Sequence, residues 1–146
     1  MSPHEYLEKH VSDILRADPW FAERRVNVIE QNSAALGEEL RKAGAEVDGI
    51  SLIISYDRER SMHSNPPQLE VDFSLLFTEF PATNRQNNRW TSALDAAFRA
   101  RKDIEAADRS LIHDEMTHST PGYGMLVATS KYRTRLTETT TTERKK

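Results

Sequence analysis

The stretch from residue 69 to residue 80 alternates between apolar and polar side chains, and this alternation constrains the fold more than any other feature of the sequence. The apolar parity carries Leu69, Val71, Phe73, Leu75 and Phe77, and the polar parity carries Glu70, Asp72, Ser74 and Thr78. Successive side chains of a strand point to opposite faces, so the pattern predicts a strand with one face in the core and one in solvent. We expect the helices to pack mainly on the apolar side of this strand.

Patterns on either side of this strand predict three helices and further strands. In chain order they are a helix from Pro3 to about Asp18, a strand over Arg25–Ile29, a helix over Ala34–Ala43, a strand over Gly49–Tyr56, the strand already described, a helix from Thr91 or Ser92 to about Ile104, a short edge strand over Ser110–His113 and a long strand over Gly124–Thr137. After the first helix, the order reads β-α-β-β-α-β. It predicts an α+β fold, with an antiparallel or mixed sheet of four to five strands and helices packed mainly on one face.

Side chains at the helices indicate how they pack. Ser2 and Pro3 are residues that begin a helix well, and Trp20 and Phe21 are expected to pack the end of that first helix onto the sheet. The third helix has two apolar rows, one of Leu94 and Phe98 and one of Ala93, Ala97, Ala100 and Ile104. The small side chains of the second row predict that this helix lies close to the sheet.

Three polar segments connect the predicted elements. Residues Asp57–Gln68 are charged and then rich in turn formers, and a connection of this length leaves two hypotheses: a mobile excursion, or an arm that reaches a neighbouring subunit. Residues Pro81–Arg89 predict a loop rich in amide side chains, and residues Thr117–Gly122 predict a turn.

The chain has 146 residues, which is typical of a single domain. We expect residues 1–137 to form this domain and residues 138–146, which lack apolar side chains, to form a disordered tail. The net charge is −3, from 20 basic and 23 acidic residues that are mixed along the chain, so no sequence-specific nucleic-acid partner is expected. No apolar run approaches the roughly 18 residues that a membrane span needs, which predicts a cytoplasmic protein without a membrane partner.

The clearest cluster of chemical groups lies between His113 and His118. A zincin motif needs two histidines four residues apart with glutamate after the first, whereas these histidines are five apart and Asp114 follows the first. The remaining candidates for a divalent ion are His113, Glu115 and His118, and the alternative is a polar surface segment. No glycine-rich phosphate loop is present and cysteine is absent. We therefore expect no catalytic residues, no metal site and no cofactor.

Residues 77–85 read Phe-Thr-Glu-Phe-Pro-Ala-Thr-Asn-Arg and precede an alanine-rich helix. This arrangement resembles small prophage-encoded virion proteins of the tail-terminator and head–tail joining type. The order of elements is similar from about Glu5 to Leu136, including a Val-x-Val-Ile strand at Val26–Ile29. The resemblance does not extend to Asn87–Trp90 or to Asp114–His118.

The resemblance implies a structural protein rather than an enzyme. Family members assemble into rings, commonly of six subunits, that stop growth of the tail tube and dock it to the head connector, so the implied partners are further copies of the chain, tail-tube proteins and head-connector proteins. The implied location is the bacterial cytoplasm and then the virion. The interface residues expected from the arm, the amide-rich loop and the polar sheet face are Arg58, Arg60, His63, Asp72, Asn84, Arg85, Arg89 and Arg133.

Two other classes of function stay open at this point. A small enzyme that binds a divalent metal would use the His113–His118 cluster. A monomeric binding module would use the polar sheet face for a peptide or a small ligand. On that face, Arg133 and Arg135 are expected to form ion pairs with Glu70 and Asp72 if their strands are neighbours.

Overall fold

A computed structural model describes residues 2–23, 26–29, 50–79, 93–122 and 125–137 of the chain. Its helices are α1 (Pro3–Arg16), α2 (Pro19–Glu23) and α3 (Ala93–Ala107), and its strands are β1 (Val26–Ile29), β2 (Ile50–Met62), β3 (Gln68–Glu79), β4 (Ile112–Gly122) and β5 (Met125–Thr137). The five strands form one sheet in the order β1-β2-β3-β5-β4. Strands β1 and β2 are parallel and the other neighbours are antiparallel. The fold is therefore α+β with a mixed sheet, as the sequence predicts.

Strand β3 lies at the centre of the sheet, between β2 and β5. Its apolar parity is buried, since Val71, Phe73, Leu75 and Phe77 are all at most 1% exposed. The ring of Phe73 stacks on that of Tyr132 in β5 at 5.4 Å between centroids. Helices α1 and α3 cover this face, which confirms the side on which the alternation predicts the helices.

Helix α1 begins where the sequence predicts. Ser2 is its N-cap, with the hydroxyl accepting a hydrogen bond of 3.4 Å from the Glu5 backbone nitrogen, and Pro3 is its first residue. The helix ends at Arg16, close to the predicted end, and its buried stripe carries Leu7, Val11 and Leu15.

Helix α2 is not predicted by the sequence pattern, which indicates a helix end at this point. Asp18 accepts a hydrogen bond of 3.0 Å from the Trp20 backbone nitrogen, and Pro19 occupies the first helical position, so the aspartate caps a new short helix. Phe21 is 3% exposed and belongs to the core, and Trp20 is partly buried against it. The expected packing of these two aromatic residues is therefore confirmed, but in a helix of their own.

The predicted connection over Asp57–Gln68 is in fact an extended β-hairpin. Strand β2 continues to Met62 and strand β3 begins at Gln68, so the loop is residues 63–67 alone. A β-bulge between Tyr56 and Arg58 lets the hairpin continue past the covered part of the sheet. The side chains from 57 to 61 are exposed, and a strand exposed to solvent carries the polar residues that are otherwise typical of a loop.

The turn predicted at Thr117–Gly122 is wrong, because these residues belong to β4. Strand β4 is an edge strand of 11 residues that pairs with β5 throughout, with register shifts between His113 and Glu115 and between Ser119 and Gly122. Proline is tolerated on an edge strand, where its missing donor faces solvent. The proline and glycine that predicted a turn therefore lie at the end of a strand.

Helix α3 packs with its small-residue row. Ala93, Ala96, Ala97, Ala100 and Ile104 are each at most 1% exposed. In the other row, Leu94 is partly buried against the core and Phe98 is 55% exposed, so that row contributes less to the core. Small side chains let the helix backbone approach the sheet, as expected.

Several predicted features lie outside the described residues. They are the helix over Ala34–Ala43, the caps Thr91 and Ser92, the loop over Pro81–Arg89 and the tail 138–146. Among the helices that the structure does describe, none combines the length and apolar character that crossing a membrane requires.

Candidate functional site

The sheet has one face without a helix on it in the described parts of the chain, and we call this the open face. It is formed by the side chains of β2, β3, β4 and β5 that point away from the core. They surround a shallow concavity of about 890 Å³, lined by Ser55, Asp57, Arg58, Arg60, Glu70, Asp72, Ser74, Leu76, Asp114, Glu115, Thr129, Lys131 and Arg133. The open face is thus polar, concave and charged with both signs.

The bulge in β2 builds one side of this concavity. It turns Asp57 toward the open face, where the Ser55 hydroxyl donates to Oδ1 at 2.8 Å and the Ser74 hydroxyl donates to Oδ2. Beside it, the Arg58 guanidinium donates from Nη2 at 2.7 Å and from Nε at 3.0 Å to Oδ2 of Asp72. Each of the two carboxylates accepts a hydrogen bond from the neighbouring strand, Asp57 from Ser74 and Asp72 from Arg58.

Strand β5 supplies the cations on the other side. Lys131 pairs with Glu115 at 3.2 Å, Arg133 pairs with Asp114 at 3.3 Å, and Arg135 lies 3.9 Å from Glu70. These side chains are largely exposed, and exposed pairs each contribute only about 0–1 kcal/mol to stability. The charges of the open face therefore contribute little to folding, which leaves them available for recognition.

The predicted cross-strand pairing is correct for one of the two arginines. Arg135 faces Glu70, as expected, whereas Arg133 faces Asp72 in the register but binds Asp114. The bulge in β4 explains why Arg133 pairs with Asp114 and not with Asp72. It inserts Asp114 beside Arg133, while Asp72 is already bound by Arg58.

The predicted interface residues divide into three groups. Arg58, Arg60, Asp72 and Arg133 come together around the concavity of the open face. His63 is exposed in the loop at the tip of the β2–β3 hairpin, away from these four. Asn84, Arg85 and Arg89 lie outside the described residues.

The three candidate metal ligands do not converge. His113 points to the covered side and packs edge-on against Tyr132 at 5.0 Å, whereas Glu115 points to the open face and pairs with Lys131. Residues two apart in a regular strand share a face, but the bulge at Asp114 separates these two. His118 is exposed further along the strand, and no three acidic or histidine side chains of the described ranges are arranged to hold a metal ion.

Two structurally important groups were missed from the sequence. Glu79 is 1% exposed, and its Oε1 accepts a hydrogen bond of 2.8 Å from the backbone nitrogen of Ala93 at the start of α3. A signal for it was present, because Glu79 falls on the buried parity of β3. The carboxylate connects the end of the central strand to the N-terminus of the helix, where negative charge is favourable.

The second missed group joins the α1–α2 junction to α3. Arg99 donates from Nε at 2.7 Å and from Nη2 at 3.2 Å to the carboxylate of Asp18, whose side chain is 9% exposed, and its guanidinium lies 5.9 Å from the centre of the Trp20 ring. The Arg99 hydrogen bonds hold the pKa of Asp18 well below its usual range. Burial and the neighbouring Asp18 raise the pKa of Asp103 to about 6. No sequence pattern pairs residues so distant in the chain.

The sequence matches no protein-family model and no curated protein. The class that the structure itself defines is an α+β protein with a mixed sheet covered by helices on one side. The features of the described structure that bear on function are the open face, the β2–β3 hairpin and the edge strand β4.

Proposed function

We propose that this chain is a structural subunit of a phage or prophage virion, a tail-terminator-like protein whose copies form a ring at the head–tail junction. The observation that carries the proposal is the open face, a concave and charged side of the sheet on a protein whose other side is covered. The resemblance of residues 77–85 to tail-terminator and head–tail joining proteins adds the virion context.

Charge on the open face suits contact with a second copy of the chain. The concavity is lined by the acidic residues Asp57, Glu70, Asp72, Asp114 and Glu115 and by the basic residues Arg58, Arg60, Lys131 and Arg133. A surface that presents both signs is complementary to other parts of the same molecule. Head-to-tail contacts of this kind close into rings when the rotation between subunits allows it.

The β2–β3 hairpin provides the reach that such a contact needs. Residues 57–61 are exposed and the loop at 63–67 is exposed as well, so the hairpin has little role in the core. Arg60 lies on this hairpin and Arg58 lies at its base. In the proposed ring, the hairpin of one subunit contacts the neighbouring subunit or the tail tube.

The exposed edge of β4 is a second surface for assembly. Eleven residues of this strand leave one row of backbone groups unpaired by any strand in the described sheet. Exposed edges of this length invite pairing with another chain unless they are blocked. In the proposed ring, tail-tube and head-connector proteins are further partners, no cofactor is needed, and the protein passes from the host cytoplasm into the virion.

One alternative is favoured by a specific observation. A concavity of about 890 Å³ falls within the size range of ligand sites, so a monomeric module that binds a peptide at the open face would use the same residues. The metal-dependent enzyme has weaker support, because its three candidate ligands diverge.

The test is the solution mass by light scattering after gel filtration across protein concentration, with negative-stain images of the largest species. We expect ring-shaped oligomers for the wild type and a shift toward monomer for Arg60→Glu. Lys102→Glu makes the same charge change on the exposed side of α3 and is expected to leave the rings intact. A monomer at every concentration, or equal effects of the two variants, contradicts assembly through the open face.

A further inference from the structure

A second cavity lies on the covered side of the sheet, between the C-terminal half of α3 and the start of β4. Its volume is about 480 Å³, and we call it the α3/β4 cleft. Its polar lining comes from Arg101, Glu105, Arg109, His113 and Tyr132, and aliphatic side chains complete the wall. The cleft lies on the side of the sheet opposite the open face, and the proposed assembly does not involve it. Of the residues that line it, the metal hypothesis involves His113 alone.

Buried polar groups in this cleft lack partners. Tyr132 is 2% exposed, and its hydroxyl forms no hydrogen bond of normal geometry within the described residues, although Ser130 is a near neighbour. Nε2 of His113 is buried and also lacks a partner there. A buried polar group without a hydrogen bond destabilises the folded state, so two such groups in one cleft point to a ligand that completes them.

The protonation states make these groups donors. Burial raises the pKa of Tyr132 to about 12, so its hydroxyl keeps its proton at neutral pH. Burial and the positive charge of Arg101 lower the pKa of His113, against the opposing effect of Asp114. The neutral ring still offers one N–H, and the tautomer protonated at Nε2 presents it at the orphaned position.

Two guanidinium groups accompany these donors. Arg101 and Arg109 are exposed, and neither forms an ion pair with another described residue. Guanidinium groups bind oxyanions through paired N–H donors. Among the described residues that line the cleft, Glu105 is the one acidic side chain, so the two arginines and this glutamate give the cleft a net charge of +1.

We propose that the α3/β4 cleft binds a small ligand through an oxyanion group, a phosphate or a carboxylate. Arg101 and Arg109 hold the oxygen atoms, the Tyr132 hydroxyl and His113 Nε2 donate to them, and the wall formed by Ile104 and Leu111 receives the apolar part of the ligand. The site is independent of the assembly proposed above.

The test is titration of the ¹⁵N-labelled protein with inorganic phosphate, followed by NMR at constant ionic strength set with sodium chloride. Acetate, titrated in a second arm, distinguishes carboxylate from phosphate. We expect shifts at residues of the cleft, and a loss of affinity of about tenfold or more in Arg101→Gln, since this variant removes charged hydrogen bonds to the anion. Tyr132→Phe keeps the ring in the core and should weaken binding as well.

Variants of neighbouring charges give the matched controls. Lys102→Gln removes one positive charge from the same helix outside the cleft and should leave the affinity unchanged, whereas Glu105→Gln should increase it. Equal weakening in Arg101→Gln and Lys102→Gln means non-specific attraction and overturns the proposal. Shifts confined to the open face, or no shifts with either anion, overturn it too. The proposal predicts these results whether or not the protein forms rings, so its failure can be distinguished from a failure of the proposed assembly.

Discussion

Glu79, at the end of the central strand, accepts a hydrogen bond of 2.8 Å from the backbone nitrogen of Ala93, the first residue of α3. The contact holds the helix with the small-residue row against the sheet. Glu79 is buried, and its replacement by alanine would leave the backbone N–H of Ala93 without this acceptor. The contact therefore links the geometry of the core to the position of α3 and of the cleft beside it.

We expect Glu79→Ala to lower the free energy of unfolding by about 1–3 kcal/mol, the range for leaving a buried hydrogen-bonding group without its partner. Glu70→Ala, on the open face of the same strand, is the matched control and should change it by less than about 1 kcal/mol, because its ion pair with Arg135 is partly exposed. Urea denaturation followed by circular dichroism measures both. Similar losses of stability in the two variants would show that the hydrogen bond between Glu79 and Ala93 does not stabilise the fold.

Arg99 is expected to be a second stabilising residue. Arg99→Ala leaves the nearly buried carboxylate of Asp18 without its guanidinium partner, so we expect a lower melting temperature than that of the wild type. Lys102→Ala, on the same helix, should be near neutral. Thermal unfolding of the two variants side by side checks this, and an Arg99→Ala melting curve that overlays that of the wild type would contradict it.

The raised pKa of Asp103 predicts how the stability of the protein depends on pH. Its pKa in the folded protein, about 6, is above the ordinary value of 3.8 that the carboxyl group has in an unfolded chain, so the folded state binds more protons between about pH 4 and pH 6. The contribution of Asp103 is therefore present below pH 4 and is lost as the pH rises through 6. Asp18, whose pKa is lowered, acts in the opposite direction and loses its contribution as the solution becomes acidic.

Asp103→Asn removes the titrating group while keeping its shape. Relative to the wild type, we expect the variant to gain stability as the pH rises from 4 to 7, by no more than about 1 kcal/mol because solvent screens this partly exposed group. Denaturation curves at several pH values give the difference directly. A difference that stays constant with pH, or that falls, would rule out the raised pKa of Asp103.

The two apolar rows of α3 should respond very differently to truncation. Ile104 is 1% exposed, so Ile104→Ala should cost about 2–5 kcal/mol through the cavity that it leaves. Phe98 is 55% exposed, and Phe98→Ala should cost less than about 1 kcal/mol. Chemical denaturation of both variants tests which row faces the core. A larger loss for Phe98→Ala would mean that another part of the chain or a partner covers it.

The Arg58–Asp72 pair tests the view that the open face contributes little to folding. With 61% of the Arg58 side chain and 31% of the Asp72 side chain exposed, a double-mutant cycle to alanine should give a coupling of about 0.2–1 kcal/mol that decreases with salt. A coupling of several kcal/mol, insensitive to salt, would indicate that these charges are needed for the fold itself.

Local patterns predicted the parts of the fold that depend on local physics. The serine and proline at the start of α1 satisfy the first turn directly, and the period of two along β3 identifies its buried face without reference to any partner. The same reasoning failed for β4 and for the hairpin. There, polar, proline and glycine residues are compatible with both a loop and an exposed strand, and the pairing with a neighbouring strand decides between them.

The candidate site depended more heavily on tertiary structure. The sequence indicated that Asp72 and Arg133 share a polar sheet face, and they do. It assigned Arg58 to a connecting arm, whereas Arg58 lines the same concavity. It did not indicate that the bulge at Asp114 turns His113 and Glu115 to opposite faces, because a single inserted residue reverses the alternation and leaves no mark in the composition.

The sequence by itself therefore determined the α+β class, the covered side of the central strand and the start of the first helix, since each depends on neighbours within a few residues. The tertiary structure alone decided that Arg101 of α3, His113 of β4 and Tyr132 of β5 meet in one cleft, and that Asp18 meets Arg99. Such meetings depend on strand register and on helix position, which result from packing over the whole core. The side chains that gather there carry no periodic signal of their own.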